Sequence, residues 1–257
     1  VLELLHCDEH LVAVNKPSGL LVHRSPIDRH ETRFALQLLR DQLGHRVYPV
    51  HRLDKPTSGV LLFAQTPAAA RAVAEQFAQR RVHKTYIAIV RGWCAPEGVI
   101  EHPLTERPAE PGSDTFPTRT QAATTRFYRL GTAELPITVD RYPSSRYSLV
   151  QLQPVTGRRH QLRRHMKHIS HPIIGDANHG KGIHNRFFQT HFNCHRLLLA
   201  CTALELQHPE HGSTLRLRAR PGADFEATAN ALGWQGELED ILREVATGPG
   251  SRHRTPA

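Results

Sequence analysis

Short apolar runs separated by polar turns dominate this chain, and only a few segments repeat at helical spacing. Residues 2–5 and 11–15 flank the turn Asp8-Glu9 and predict two short strands. Val47-Tyr48-Pro49-Val50 and Val60-Leu61-Leu62-Phe63-Ala64 predict two more, and the polar stretch between them displays Asp54 on a turn. Further strands are expected over 82–90, 123–130 and 146–153. Leu215, Leu217 and Ala219 alternate with Arg216, Arg218 and Arg220, the pattern of a half-exposed strand.

Helical signals are fewer. Residues 31–43 predict a helix closed by Gly44. A stronger one covers 67–79, with Thr66 as cap, Pro67 in the first turn, and Ala70, Val73, Ala74 and Phe77 at i, i+3, i+4, i+7. Leu162, Met166 and Ile169 mark a helix over 157–169. Two C-terminal helices, 223–232 and 237–246, carry the stripes Phe225-Ala229-Leu232 and Leu238-Ile241-Leu242-Val245. Residues 107–120 and 247–257, rich in Pro, Gly, Ser and Thr, are expected to be a mobile loop and a flexible tail. With no internal repeat and no linker, the pattern predicts one α+β domain over 1–246.

Charge narrows the partners. The 257 residues carry a formal net charge of +9 and 19 histidines, a surface that favours a polyanion such as nucleic acid. No apolar run reaches bilayer length and no signal-peptide pattern opens the chain, so no membrane partner is expected and the cytoplasm is the default compartment. Cys7, Cys94, Cys194 and Cys201 are widely spaced, as reduced thiols rather than a disulfide framework. His160, His165, His168 and His171 lie close in sequence, but only His165 and His168 have a helical ligand spacing, so no metal site is expected.

One segment points to chemistry. In His51-Arg52-Leu53-Asp54-Lys55-Pro56-Thr57-Ser58-Gly59, a single carboxylate stands among cations on the predicted turn. Alone, such an aspartate would more often bond its own backbone. Three more segments change that balance: Asn15-Lys16-Pro17-Ser18-Gly19, the strand Lys84-Thr85-Tyr86-Ile87-Ala88-Ile89-Val90-Arg91-Gly92, and Gly157-Arg158-Arg159-His160-Gln161-Leu162-Arg163-Arg164-His165 followed by His171-Pro172-Ile173-Ile174-Gly175-Asp176. Together, and in this order, they resemble the motifs of the RluA family of pseudouridine synthases. Within it the chain is most similar to the TruC branch, the tRNA pseudouridine-65 synthases, on the strand ending in Arg91-Gly92-Trp93, on Arg141-Tyr142-Pro143 before Arg146-Tyr147, and on His179-Gly180.

The resemblance implies a mixed, mostly antiparallel sheet bent around a central RNA cleft with helices outside, and no S4 RNA-binding domain ahead of it. It implies a tRNA substrate, a monomer with no protein partner, and neither metal nor organic cofactor, because isomerising uridine loses no atoms and changes no oxidation state. It makes Asp54 the catalytic carboxylate, Arg163 the arginine paired with it, and Tyr86 the ring that lies against uracil and takes the C5 proton directly or through water. Arg163 is expected to hold two oxygens of Asp54 in its planar fork. Arg52 would fill the space left by the flipped base. Lys16, Arg158, His160 and Leu199 complete the expected RNA-binding set, with Arg159, Arg164 and Lys167 as further backbone contacts. Leu199-Ala200-Cys201 stands where relatives show Leu-His-Ala, so the role of that histidine is not carried to Ala200. Three other readings stay open: a ribosomal RNA synthase of the same family, a non-catalytic RNA-binding or chaperone protein on the same fold, and a metal-dependent RNA-cleaving enzyme.

Overall fold

In the computed structural model, which describes residues 1–24, 30–106 and 119–247, the apolar runs become strands of one large sheet. The expected 107–120 loop and 247–257 tail lie almost wholly outside the described residues. The first half of the chain forms β1 (Glu3–Cys7), β2 (Leu11–Lys16), α1 (Ala35–Leu43), β3 (Tyr48–Pro49), β4 (Ser58–Ala64), α2 (Pro67–Ala78), β5 (His83–Arg91), β6 (Glu97–Glu101) and β7 (Leu104–Glu106). The second half adds β8 (Arg119–Gln121), β9 (Thr124–Leu135), β10 (Ser145–Pro154), α3 (Gln161–His168), α4 (Gly182–His191), β11 (Leu199–Gln207), β12 (Thr214–Arg218), α5 (Ala223–Ala231) and α6 (Gln235–Thr247).

Across the sheet the order is β1-β2-β4-β11-β5-β10-β9-β6, with β3 joined to β4 and β12 to β11; β7 and β8 pair separately. Every pair is antiparallel except β4 with β11. The class is therefore α+β with a mixed, mainly antiparallel sheet, as the sequence leads one to expect. At the parallel junction Gly59 has φ +108, and a Cβ there would stand 2.0 Å from the Cys201 carbonyl oxygen. Only glycine lets the two backbones approach this closely beside the Asp54 turn.

Side-chain alternation divides the interior into two cores. Along β5, Tyr86, Ala88 and Val90 join one core with Leu39 of α1, Val73 of α2 and Met166 of α3. Ile87 and Ile89 join the other, with Phe188 of α4, Phe225 of α5 and Ile241 of α6. The same alternation puts Leu199 and Cys201 in the first core and Ala200 in the second. The residue that replaces the relatives' histidine thus faces away from Tyr86.

α2 follows its sequence signals closely: Thr66 Oγ1 accepts from the Ala69 amide at 3.1 Å and Pro67 opens the first turn, a cap of about 1 kcal/mol. α1 starts four residues later than its pattern suggests. Phe34 is extended and bridged to Leu21, and the Ala35 and Leu36 amides donate to Leu21 and Val22, so a neighbouring segment satisfies the first orphan donors. α3 likewise begins at Gln161, because His160 adopts φ +53 and residues 157–160 form a loop. β9 runs on past residue 130, where its last residues pair with the start of β10. β6, β7, β8 and α4 have no counterpart in the sequence reading. α4 offers only Ile183, Phe187 and Phe188 as apolar marks, too few for a helical stripe.

Candidate active site

Asp54 lies on the turn between β3 and β4, which closes through the Thr57 amide and the Asp54 carbonyl at 3.0 Å. Two groups hold this turn. His51 Nε2 accepts from the Leu62 amide at 2.9 Å and its ring stacks on Phe77 at 5.2 Å. Burial, with Lys84 adding repulsion, pushes this imidazole down to about 3, so it stays neutral. On the other side Lys16 is 0% exposed, and its Nζ donates to the carbonyls of Pro17 (2.8 Å), Leu20 (2.7 Å) and Lys55 (3.1 Å). The Gly19 amide and Ser18 hydroxyl add bonds to Lys55 and Pro56. Lys16 therefore does not reach RNA phosphate; the expectation fails because the ammonium is spent on main-chain carbonyls around the catalytic turn. Burial, with Arg196 nearby, lowers it to about 7, while Asp54 opposes the shift.

The arginine expected beside Asp54 is there, with a different geometry. Arg163 on α3 is 4% exposed and donates from Nη1 to Asp54 Oδ2 at 3.1 Å. Its fork is used elsewhere: Nε and Nη2 meet the two oxygens of Asp176 at 2.8 Å each. The amides of Asn178 and His179 donate to Asp176 Oδ1 at 3.0 Å. Burial alone would raise the Asp176 carboxyl, but Arg163 and these amides outweigh it and hold the group below the usual carboxylate range. Burial also opposes the Arg163 charge, and Asp176 with Asp54 more than compensates, so its pKa rises. Asp54 is thus steered by one bond from a guanidinium fixed from behind.

These groups face a cleft of about 1370 Å³. Asp54, Tyr86, Arg163, Arg52, Arg158, His160 and Leu199 all line it, as do Arg159 and Arg164; Lys16 and Lys167 do not. Arg52 is exposed, and Leu199 is a buried apolar wall. Tyr86 is buried opposite Cys201 on β11. Burial raises its phenol well above the ordinary value, and the neighbouring Cys201 thiol adds to the effect. His160 Nδ1 bonds His179 Nε2 at 3.0 Å, and His160 Nε2 stands 3.9 Å from Asp54 Oδ2, too far for a hydrogen bond. Burial pushes His160 down to about 4 against the pull of Asp54, so it is neutral near pH 7.

Two features of the site are not legible in the sequence. Asp176 ends the His171–Asp176 segment, but nothing in its spacing showed that it takes the fork of Arg163. Lys84, first residue of the Tyr86 strand, is half-buried in the cleft on the same side as Tyr86. Among the described residues it has no hydrogen bond or carboxylate partner, and burial lowers its pKa. Its place two residues before Tyr86 was the available signal. The clustered histidines are engaged separately: His165 with Thr125 and His102, His168 stacked on His102 and His171 with the Arg91 carbonyl. Among the described residues no three His, Cys, Asp or Glu side chains are grouped to hold a metal ion.

Comparison with known proteins gives the same direction. Residues 10–168 match the family model described as RNA pseudouridylate synthase. A protein of Pectobacterium carotovorum named tRNA pseudouridine synthase C is 48% identical, covering 98% of this chain and 69% of its own. A protein of the same name from Vibrio cholerae is 46% identical over 93% of this chain and 98% of its own. Among solved structures, human RNA pseudouridylate synthase domain containing 4 aligns with a TM-score of 0.68 at 27% identity, covering 90% of this chain and 93% of that one. Human RNA pseudouridylate synthase domain containing 1 aligns with a TM-score of 0.70 at 23% identity, over 98% and 97%, and bears on the fold.

Proposed function

The chain belongs to the RNA pseudouridylate synthase family, and we propose that it converts a uridine of tRNA to pseudouridine with Asp54 as the carboxylate acting at the ribose. The carrying observation is the chain of bonds from the Asn178 and His179 amides through Asp176 and Arg163 to Asp54, which ends at an open cleft. Uridine 65, in the acceptor and T-stem region, is the position this reading assigns, following the branch that the sequence resembles; the name tRNA pseudouridine synthase C of its relatives supports tRNA as the substrate. The reaction takes place in the cytoplasm on this reading, with which the four free cysteines agree.

The C1′–N1 bond breaks with its electron pair on N1, leaving the base as an anion. Asp54 either attacks C1′ or removes the C2′ proton to give a glycal. The base turns and C5 joins C1′, which expels the Asp54 carboxylate in the first route or draws the proton back to C2′ in the second. C5 then gives up its proton and N1 takes one up, so all atoms are retained. Arg163 keeps the Asp54 carboxylate aimed in a filled cleft. Tyr86 holds the detached base by stacking. Lys84, beside Tyr86 and without a counter-ion among the described residues, supplies positive charge where the freed base is negative. Arg52 at the exposed rim fills the vacated stack, and Arg158, Arg159 and Arg164 neutralise phosphates.

The test is incubation of unmodified tRNA with the protein and mapping of pseudouridine at single-nucleotide resolution. Conversion of uridine 65 supports the reading. Conversion only in ribosomal RNA moves the substrate, and strand cleavage abolished by a chelator replaces the reaction.

A further inference from the structure

We propose that a second hollow, at the end of β5 and β10 opposite the catalytic cleft, is an RNA-docking site that takes backbone phosphate and a stacked base away from the target uridine. It rests on the reading that the substrate is RNA, and it concerns residues that the catalytic cleft does not use.

The hollow, of about 380 Å³, gathers segments that lie far apart in the chain. Arg91 ends β5 and is followed by Trp93; Arg141 and Tyr142 precede β10; Arg146 is its second residue. Each was conspicuous in the sequence, and none has a place in the chemistry at Asp54. The fold puts Arg91, Tyr142 and Arg146 around one opening.

Charge and ring exposure favour a nucleic acid. Arg146 is paired with Glu134 at 3.1 Å and Lys181 with Asp140. Arg91 and Arg141 have no carboxylate within ion-pair distance among the described residues, although Asp140, which also lines the hollow, feels the charge of Arg91. The Arg91 Nε–H points to His184 Nε2 at 3.2 Å, and burial pushes that imidazole down to about 4, so it is neutral and does not repel the guanidinium near pH 7. Two aromatic rings stand out to solvent beside these cations: Trp93 is 42% exposed and Tyr142 51%. The Arg146 guanidinium lies 4.3 Å from the Trp93 ring centroid and that of Arg141 4.9 Å from Tyr142. A planar cation on an exposed ring offers a surface for stacking a base and a donor for its phosphate. Trp93 is also held in place, its Nε1–H donating to the Ala133 carbonyl at 3.0 Å, so little order is lost on binding.

A purely structural role, tying the β9–β10 hairpin to β5, accounts for the Arg146–Glu134 pair. It also accounts for the Trp93 bond to Ala133 and for Arg91, which holds His184 near Asp140, but it leaves the solvent-facing ring of Tyr142 and the cation Arg141 without a purpose. The two sites share one ladder: Tyr86 faces Leu152 at the cleft end, and Arg91 faces Tyr147 at the hollow. Five residues of strand separate them by about 17 Å. An RNA must therefore extend well beyond its target uridine to engage both.

The experiment compares full-length unmodified tRNA with a short hairpin that holds only the target stem, using Trp93→Ala, Tyr142→Ala and Arg141→Ala, all exposed and outside the cleft. Docking predicts a loss of about tenfold or more in kcat/KM on tRNA, mainly through KM, and a shallower salt dependence of tRNA binding for Arg141→Ala. Turnover of the hairpin is unchanged. Equal losses on both RNAs would make the patch a support for the cleft and overturn the proposal. Unchanged tRNA binding and turnover would also overturn it and leave the patch to a protein partner. Absence of pseudouridine with the unmutated protein counts against the function proposed above; direct tRNA binding by the same variants still decides the docking site.

Discussion

Asp176 takes the paired N–H groups of Arg163 on both of its oxygens, at 2.8 Å each, and so fixes a guanidinium that has one bond left for Asp54. A bidentate hold sets the plane of the guanidinium, whereas a single bond leaves the second carboxylate oxygen of Asp54 free to act. Asp176 is therefore predicted to control rate without touching RNA. Asp176→Asn should slow single-turnover isomerisation by about tenfold or more while tRNA affinity stays within a few-fold. Arg163→Ala should cost more rate, and a buried pair left half-broken should cost about 3–5 kcal/mol of stability in chemical denaturation. A parallel fall in rate and affinity would instead make Arg163 a docking residue.

Lys84 carries a prediction of its own. Lys84→Met keeps the stem and removes the charge. If the cation serves the detached base, turnover falls by about tenfold with tRNA affinity little changed. Weaker binding at an undiminished bound-state rate, measured by filter binding and single turnover, would assign it to a phosphate.

Tyr86→Phe separates the ring from its hydroxyl. The ring keeps its stacking area, so binding should hold, while proton release from C5 of a labelled substrate should slow. Unaltered release would remove the hydroxyl from the proton step and leave Tyr86 as a stacking platform.

Three imidazoles predict the acid response of the fold. Burial lowers His51 to about 3 and both His160 and His184 to about 4, below the ordinary value of about 6.5. As pH falls from 6.5 the unfolded chain takes up these protons first, so stability present above 6.5 is lost progressively down to about 4 for His160 and His184 and about 3 for His51. The loss is on the order of several kcal/mol. Asp8 and Asp176, whose pKa values are lowered, act only below the ordinary carboxylate range. Urea midpoints at pH 7, 5.5 and 4.5 should fall in that order; a constant midpoint would show the imidazoles are not held neutral in the native state.

Local signals were legible where one segment carries its own reason to form. Thr66, Pro67 and the apolar stripe after them specify α2, and the polar gap between two apolar runs displays Asp54. The motif identifies Arg163, but its fork meets Asp176 rather than Asp54, because the alignment of Asp176 depends on how the loop after α3 returns. Lys16 reads as a phosphate contact only while its surroundings are unknown. Once the Asp54 turn folds over it, three carbonyls surround its ammonium. α1 lost its first turn to Leu21 and Val22, whose carbonyls take the amides that a longer helix would have used. α4 forms because Phe188 is buried and the Tyr147 hydroxyl meets His184 at 2.9 Å, contacts that local periodicity does not record.

The most direct measurement is pseudouridine formation in unmodified tRNA by the wild-type protein and by Asp54→Asn, a near-isosteric change that removes the charge. The account predicts stoichiometric conversion by the first, no detectable conversion by the second, and the same folded spectrum and denaturation midpoint within error for both. Conversion by Asp54→Asn at a rate near wild type would contradict it.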